Sequence, residues 1–400
     1  MSTMTSTPRD AALPREIWVL LAASFLIAIG YGIVAPALPN FATSFDVGVT
    51  AASVVVSAFA FVRLLFAPMS GRLVTRFGER PIYLWGVSIV AVGTLLCGVA
   101  ADYWQLLLFR SASGVGSTMF TVSAIGLLIR ISPPELRGRA SGLWGSSFLL
   151  GGIVGPVVGS GLVTVSLRAP FFVYGGALVL TTLLVWWQLR DSELVARPAE
   201  ESGQRMTFPQ ALRHSSYRAA LASNLANGWV VFGVRMSLLP LFVTAVLNQD
   251  EAFTGIALAV FAAMNAAALL YVGRVSDKRG RKPPALLGLA LLAAGALGIG
   301  LASDPWVFLG AVVVTGLGAG ALNPAQNATV ADVLGSKARG GSVLAGFQMA
   351  ADVGAVAGPL IAGAVAEQWS YSAAFGLTAA VAVVALLLWC GAKETLPAKN

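Results

Sequence analysis

Twelve apolar runs follow one another along this 400-residue chain, joined by loops too short to carry a domain of their own. They lie near 17–39, 50–71, 81–100, 103–131, 139–163, 170–189, 218–246, 252–273, 284–302, 305–331, 340–366 and 370–391. A helix needs roughly 20 residues to cross the hydrocarbon of a bilayer, and each run is of that order. Barrel strands would show units of roughly ten residues with alternating polarity, a pattern this sequence lacks. The chain is 57% hydrophobic and 11% charged, with a mean hydropathy of +0.79, whereas soluble domains carry roughly 25% charged residues. A water-soluble core of this length could not hide so much apolar surface. The expected fold class is therefore an all-α polytopic membrane protein. The first run reads as a retained helix rather than a leader, because it is long and ends in Pro36 and Pro39.

The second half of the chain repeats the first. Gly71-Arg72-Leu73-Val74-Thr75-Arg76-Phe77-Gly78-Glu79-Arg80 returns 202 positions on as Gly273-Arg274-Val275-Ser276-Asp277-Lys278-Arg279-Gly280-Arg281-Lys282. Arg137-Gly138 returns as Arg339-Gly340 at the same offset, and Gly155-Pro156 as Gly358-Pro359 at 203. The expected organisation is two six-helix pseudo-repeats, 17–189 and 218–391, joined by a polar cytoplasmic linker at 190–217, with cytoplasmic tails at 1–16 and 392–400. A duplicated membrane bundle can surround a central pathway and rock one half against the other.

The basic balance, net +8, is accounted for by topology. With the N-terminus inside, 22 of the 26 Lys and Arg lie in cytoplasmic span ends and loops, three lie deep within spans (Arg63, Arg110 and Arg235) and Arg168 alone faces outward. That distribution is the positive-inside bias. The outer loops carry Asp46, Asp102, Asp250, Glu251, Asp304 and Glu367 instead. No nucleic-acid partner is expected; the lipid bilayer is. Cys97 and Cys390 read as small core residues with neither disulfide nor metal spacing, and no metal or other cofactor is expected. The only histidine, His214, falls in the linker, so no cluster of catalytic groups forms at one depth, and the chain does not read as an enzyme.

The loop after span 8, Gly273-x3-Asp277-x2-Gly280-Arg281-Lys282, with its copy at Gly71, Arg72, Gly78 and Arg80, resembles the signature loop of the major facilitator superfamily. The resemblance implies the major facilitator fold, with 12 transmembrane helices and these two loops acting in gating. Gly71 and Gly273 are expected to end helices at a close approach, and Gly78 and Gly280 to permit a tight reversal. Asp277 is expected to face the start of span 5 near Arg137 and Arg139. The first copy departs from the family pattern, with Thr75 at the aspartate position, which puts the first-half latch in doubt.

Span 5 carries Gly142, Gly151, Gly155-Pro156 and Gly159-Ser160. This resembles the antiporter motif of proton-coupled exporters in the superfamily, with serine for the last glycine. Generic small-residue packing would produce the same pattern, and Gly-Pro recurs in span 11. In span 4, Leu106-x3-Arg110-x3-Gly114-x-Gly116 is similar to the family's arginine motif associated with proton transfer; snorkelling of Arg110 to the interface is the alternative. An arginine inside a span costs roughly 2.5–3.5 kcal/mol on insertion scales, so it marks a cavity or a partner. Asp352, deep in span 11, can bind and release a proton, or form a structural pair beside the Gly-Pro bend.

Proton coupling is accordingly assigned to Asp352 and Arg110. Arg63, Arg235, Asn227, Asn265, Gln326, Gln348, Tyr31 and Trp229 are assigned to a substrate cavity. Cation-exporting relatives usually carry a carboxylate in span 1, and Ile17–Pro39 has none. Three deep arginines against one aspartate favour an anionic, zwitterionic or neutral amphipathic solute. The expected activity is secondary transport, as a monomer in the cell membrane, driven by protons and exporting small amphipathic molecules. A proton-coupled importer of an organic solute or sugar, and a lipid or glycolipid flippase, remain open.

Overall fold

The computed structural model describes residues 13–132, 137–190, 204–334, 338–339 and 341–396. Twelve helices among them are long and apolar enough to cross a membrane. In the first half these are α1 (Arg15–Val34), α2 (Val49–Phe77), α3 (Glu79–Val99), α4 (Tyr103–Ile131), α5 (Arg137–Val163) and α6 (Ala169–Leu189). In the second half they are α7 (Ser215–Ala245), α8 (Glu251–Arg279), α9 (Lys282–Leu301), α10 (Pro305–Leu334), α11 (Gly341–Gln368) and α12 (Tyr371–Cys390). With no water in the hydrocarbon to satisfy them, backbone groups must pair within each segment, which makes helix the obligatory state. The face where α1 starts and α12 ends is called proximal here, the other distal.

The acidic loop residues start the distal helices. Asp102 accepts the backbone N–H of Gln105, and Asp250 that of Phe253, each at 2.9 Å. Asp304, the repeat of Asp102, accepts those of Trp306 and Val307. Caps of this kind contribute about 1 kcal/mol each and stop the helix at the membrane surface. On the proximal side, Gly78 (φ 83°) and Gly280 (φ 106°) make the reversals after α2 and α8, in a backbone region that L side chains rarely adopt.

The two halves pair their helices alike. Within the first half, α1 packs on α5 and α6, α3 on α4 and α6, and α2 on α4; α7–α12 repeat this arrangement six helices later. Each half has its own buried apolar core, and the two cores exchange members only at the distal side, where Ala35 joins the second and Leu241 the first. Between the halves run two seams, α2 against α11 and α5 against α8. Trp104 and its repeat Trp306 are exposed beside the distal caps, where an aromatic side chain suits the membrane–water boundary.

Some expectations are corrected. The first span stops at Val34 rather than Pro39: Pro36 has no N–H to continue the helical hydrogen bonds, and a separate short helix, Leu38–Thr43, follows. Span 7 contains a π-helical segment, Gly228–Val234. Gly71 does not end a helix, since α2 continues to Phe77. Cys390 is exposed rather than in the core, because it closes α12 on an outward face. The described part of the linker is ordered on the second half: Gln204–Arg205 pairs in parallel with Ala338–Arg339, and Phe208 packs edge-on against Tyr217.

The proximal end of the second half is tied by the tail. Glu394 accepts the backbone N–H groups of Arg281 (2.8 Å) and Lys282 (3.0 Å) at the start of α9. Thr395 and Arg281 both bond Asp332 at the end of α10. Partial burial raises the Glu394 pKa, but backbone donors from Arg281, Lys282, Leu396 and Thr395 outweigh it and hold the carboxyl below its ordinary value. A depressed folded pKa stabilises fully above the unfolded value and is lost as pH falls through the folded one. Glu394→Ala should therefore cost about 1 kcal/mol near neutral pH, discounted for its exposure. The deficit should shrink as pH falls below about 4.3. Thermal unfolding in detergent across that range measures both.

Candidate functional site: the arginine-lined cleft

Small residues determine how the helices around the central cleft meet. A side chain added at Gly155 or Gly159 would run into the backbone of Gly32 or Ile33 in α1, and one at Gly151 into Ala28. Pro156 lies in the same helix, its ring against Gly32. The glycine face of α5 thus fastens α1 within its own half. Ser160 instead meets Gly255 of α8 in the other half. The seam between α7 and α11 repeats the first: Gly228 lies against the Ala351 carbonyl, Gly354 against Leu225 and Gly233 against Pro359.

Among the described residues the seam between α2 and α11 closes distally. Thr50 donates its backbone N–H to Glu367 at 2.8 Å, Gly363 abuts Ser53, and the Ser57 hydroxyl donates to the Val356 carbonyl at 3.0 Å. The last cross-link on this seam is ionic, Arg63 of α2 to Asp352 of α11 at 3.9 Å. Proximal to it the helices part. A methyl group added at Gly71 or Gly145 would have no neighbour within 4 Å, and Ala345 and Gln348 of α11 are exposed. The cleft is open to the proximal face and sealed from the distal one.

Charge gathers at the closed head of the cleft. The amide of Gln348, one turn from Asp352, also reaches that carboxylate. Arg63 borders a cavity of about 170 Å³ in the first half, and Arg110 borders it from α4. The Arg110 guanidinium lies 4.0 Å from the ring centroid of Phe59. In the second half, Arg235 lies 4.2 Å from Phe261, the repeat of Phe59, and bonds the Val231 carbonyl at 3.0 Å. Tyr31 lines the first-half cavity. Phe232 crosses from the π segment of α7 to complete the cavity wall.

The sequence assignments divide here. Arg63, Arg110, Asp352, Gln348 and Tyr31 come together around the cleft, with Arg235 on its second-half side. Asn227, Trp229 and Gln326 do not. Trp229 donates to Thr378 at 3.2 Å, Gln326 bonds Ser223 and Asn224 inside the second half, and Asn227 is buried beside them. In apolar surroundings polar side chains seek partners in neighbouring helices, so they were drawn inward. Asn265, the repeat of Arg63, is half-buried with its Oδ1 unpartnered.

Of the signature loops, Arg72 is exposed, Arg80 donates to the Arg190 carbonyl at 2.9 Å, and Arg281 pairs with Asp332 at 3.1 Å. The side chain of Asp277 lies outside the described residues; Gly142 falls within α5, and Gly273 does not end a helix, since α8 continues to Arg279. Phe120, Ser117, Thr121 and Tyr174 also line the cavity; in the sequence they are ordinary span residues with no charge or motif to mark them.

A family model described as Major Facilitator Superfamily matches residues 20–242 and 221–400. Multidrug resistance protein 1 of Bacillus subtilis (strain 168) is 27% identical over 190 residues, 48% of this chain. The match spans about half of that relative, 49% of its length. The class H tetracycline resistance protein of Pasteurella multocida is 24% identical over 373 residues, covering 90% of each chain. Among solved structures, a bacterial homolog of the human lysosomal transporter Spinster, in an inward-facing and unoccupied conformation, shares the fold. Its TM-score is 0.78 at 17% identity, over 94% of this chain and 95% of that one.

The distal closure can be trapped. In a background with Cys97 and Cys390 replaced by serine, Ser53→Cys with Gly363→Cys should cross-link readily, since a Cβ at Gly363 would lie 2.8 Å from that of Ser53 and a shift of about 1 Å gives disulfide spacing. Gly71→Cys with Ala345→Cys should not cross-link until the proximal side closes. Cross-linking yields read by gel mobility check both; the reverse ranking would contradict the open face assigned here.

Proposed function

The chain belongs to the Major Facilitator Superfamily, and from that premise we propose that it is a proton-coupled exporter of small amphipathic solutes working by alternating access. As a member of this superfamily it is a multi-pass membrane transporter of small molecules and not an enzyme. The relatives named for multidrug and tetracycline resistance support efflux over uptake. The bias of Lys and Arg to the proximal loops supports a proximal face in the cytoplasm, with both termini there, in the cell membrane. On that orientation the open cleft loads from inside.

One observation carries the coupling: among the described residues the Arg63–Asp352 pair is the ionic link between halves, and it sits where the seam gives way. The pair is partly exposed, 26% at Arg63 and 16% at Asp352, so its loss costs less than the roughly 3–5 kcal/mol of a fully buried pair; a change of about 1.4 kcal/mol is enough to shift an equilibrium tenfold. Protonation of Asp352 removes the negative partner of Arg63 and frees the halves to exchange their closed ends. The proton gradient is the energy source, with no cofactor; one charge crossing 100 mV supplies about 2.3 kcal/mol, roughly fifty-fold accumulation. Each chain holds a complete cleft between its own halves, which supports a monomer as the working unit.

The test is tetracycline transport in proteoliposomes under an imposed pH gradient, with the orientation of the protein determined. Movement should be directed out of the proximal side and driven by protons entering in exchange. Asp352→Asn should retain downhill exchange while losing at least tenfold in gradient-driven accumulation. Full coupling in that variant would remove Asp352 from the proton path.

A further inference from the structure

The transport cycle above gives no part to Arg110, whose surroundings differ from those of Arg235, held by the Val231 carbonyl of its own helix. Arg110 stands about two turns in from the distal start of α4, is only 7% exposed, and its buried Nε has no hydrogen-bond partner. It does not snorkel to the interface, since its guanidinium lies on the face of Phe59 at 4.0 Å. No carboxylate lines the cavity it borders. Among the described residues the deep carboxylate is Asp352, and that one is taken by Arg63. Arginine does not lose its proton in proteins, so Arg110 is a fixed buried cation whose complement must come from elsewhere. A stacked aromatic ring offsets part of the cost, but it leaves the planar donor fork unfilled.

The cavity limits what can fill it. At about 170 Å³ it is smaller than the roughly 300–1,000 Å³ of sites for drug-sized ligands, yet about as large as an apolar cavity known to take benzene. Phe120, Phe148 and Phe232 supply ring edges and faces suited to an aromatic body. Ser117 adds a hydroxyl, and Arg63 a second positive charge at the cleft side. A planar carboxylate matches a guanidinium in a two-point contact. We propose that Arg110 is the receptor for the acid group of a small aryl carboxylate, whose ring occupies the cavity between Phe59 and Phe232. This deepens the exporter reading on which it rests. Because Phe232 belongs to the other half, a ligand seated there touches both halves at once.

Binding is tested without any gradient, on purified protein in phosphatidylcholine nanodiscs. The probes share one body and differ in the head group: 3-phenylpropanoate, 3-phenylpropanamide and 3-phenylpropylammonium. The acid should bind about 10–100-fold more tightly than the amide, the range for a hydrogen-bonded charged pair, and the ammonium most weakly. Arg110→Gln should erase that preference, and Arg110→Lys should restore part of it.

In the unaltered protein, 3-(4-azidophenyl)propanoate should photolabel residues that line this cavity, such as Phe59, Phe120, Phe148 or Phe232, in competition with the unlabelled acid. This readout does not depend on any variant folding. Equal affinity for acid and amide, a preserved preference in Arg110→Gln, or labelling elsewhere would each overturn the assignment. So would loss of acid binding when phosphatidylglycerol replaces phosphatidylcholine, which would give the site to a lipid head group. Absence of gradient-driven transport alongside selective acid binding would remove the exporter reading and leave this subsite standing.

Discussion

Close backbone approach between α1 and α5, and between α7 and α11, is the contact on which the rest of this protein depends. Gly151, Gly155 and Gly159 bring α5 onto α1, and Gly228, Gly354 and Gly358 bring α7 onto α11. In lipid there is little apolar driving force between helices, so association rests on dispersion contacts that small residues allow. With each half fastened internally, flexibility is left to the seams between halves. Among the described residues those seams are made of a few small or polar contacts toward the distal face, the one between α2 and α11 ending at Arg63 and Asp352. A pair of rigid bodies joined in this way can rock, and the position of its closed end determines which side the cleft faces.

Duplication supplied the scaffold and left the chemistry unequal. Phe59 and Phe261 occupy the same repeat position, and each carries a guanidinium on its face. The arginines differ in origin: Arg110 comes from α4, where the repeat position holds Val312, and Arg235 from α7, whose counterpart is Ile33. The first half keeps a cavity of about 170 Å³ beside its arginine, whereas the space beside Arg235 is about 20 Å³, filled in by aliphatic side chains such as Val230, Val234 and Leu239. A charged group with room beside it can receive a ligand; one without room is held by its own helix, as Arg235 is by the Val231 carbonyl. The same aromatic platform therefore serves two purposes.

Legibility followed the strength of each physical penalty. The spans were plain because an uninterrupted apolar run of helix length has few alternatives in a membrane. Deep charges such as Arg63, Arg110 and Asp352 were plain as well, since a charge in hydrocarbon is costly and cannot be incidental. Neutral polar residues misled. Gln326 read as a cavity residue but turned into the second half, because an amide finds partners on either side of its helix and the sequence does not say which; Asn227 is buried there too, with its Oδ1 unpartnered. Phe120 and Tyr174 could not be found at all, as an aromatic residue facing a void is written the same way as one facing lipid.

The sequence by itself determined the number of crossings, the duplication, the glycine seams and the few ionisable groups that lie deep. Each follows from local constraints: the length of an apolar run, the absence of a Cβ, the cost of burying charge. Tertiary structure alone decided that Asp352 meets Arg63 across the halves while Arg110 is left with a ring and a void. It also decided that the π segment of α7 carries Phe232 across to the first half, and that the cleft opens proximally. These outcomes depend on how helices distant in sequence rotate and lean against one another, and no single helix records that choice.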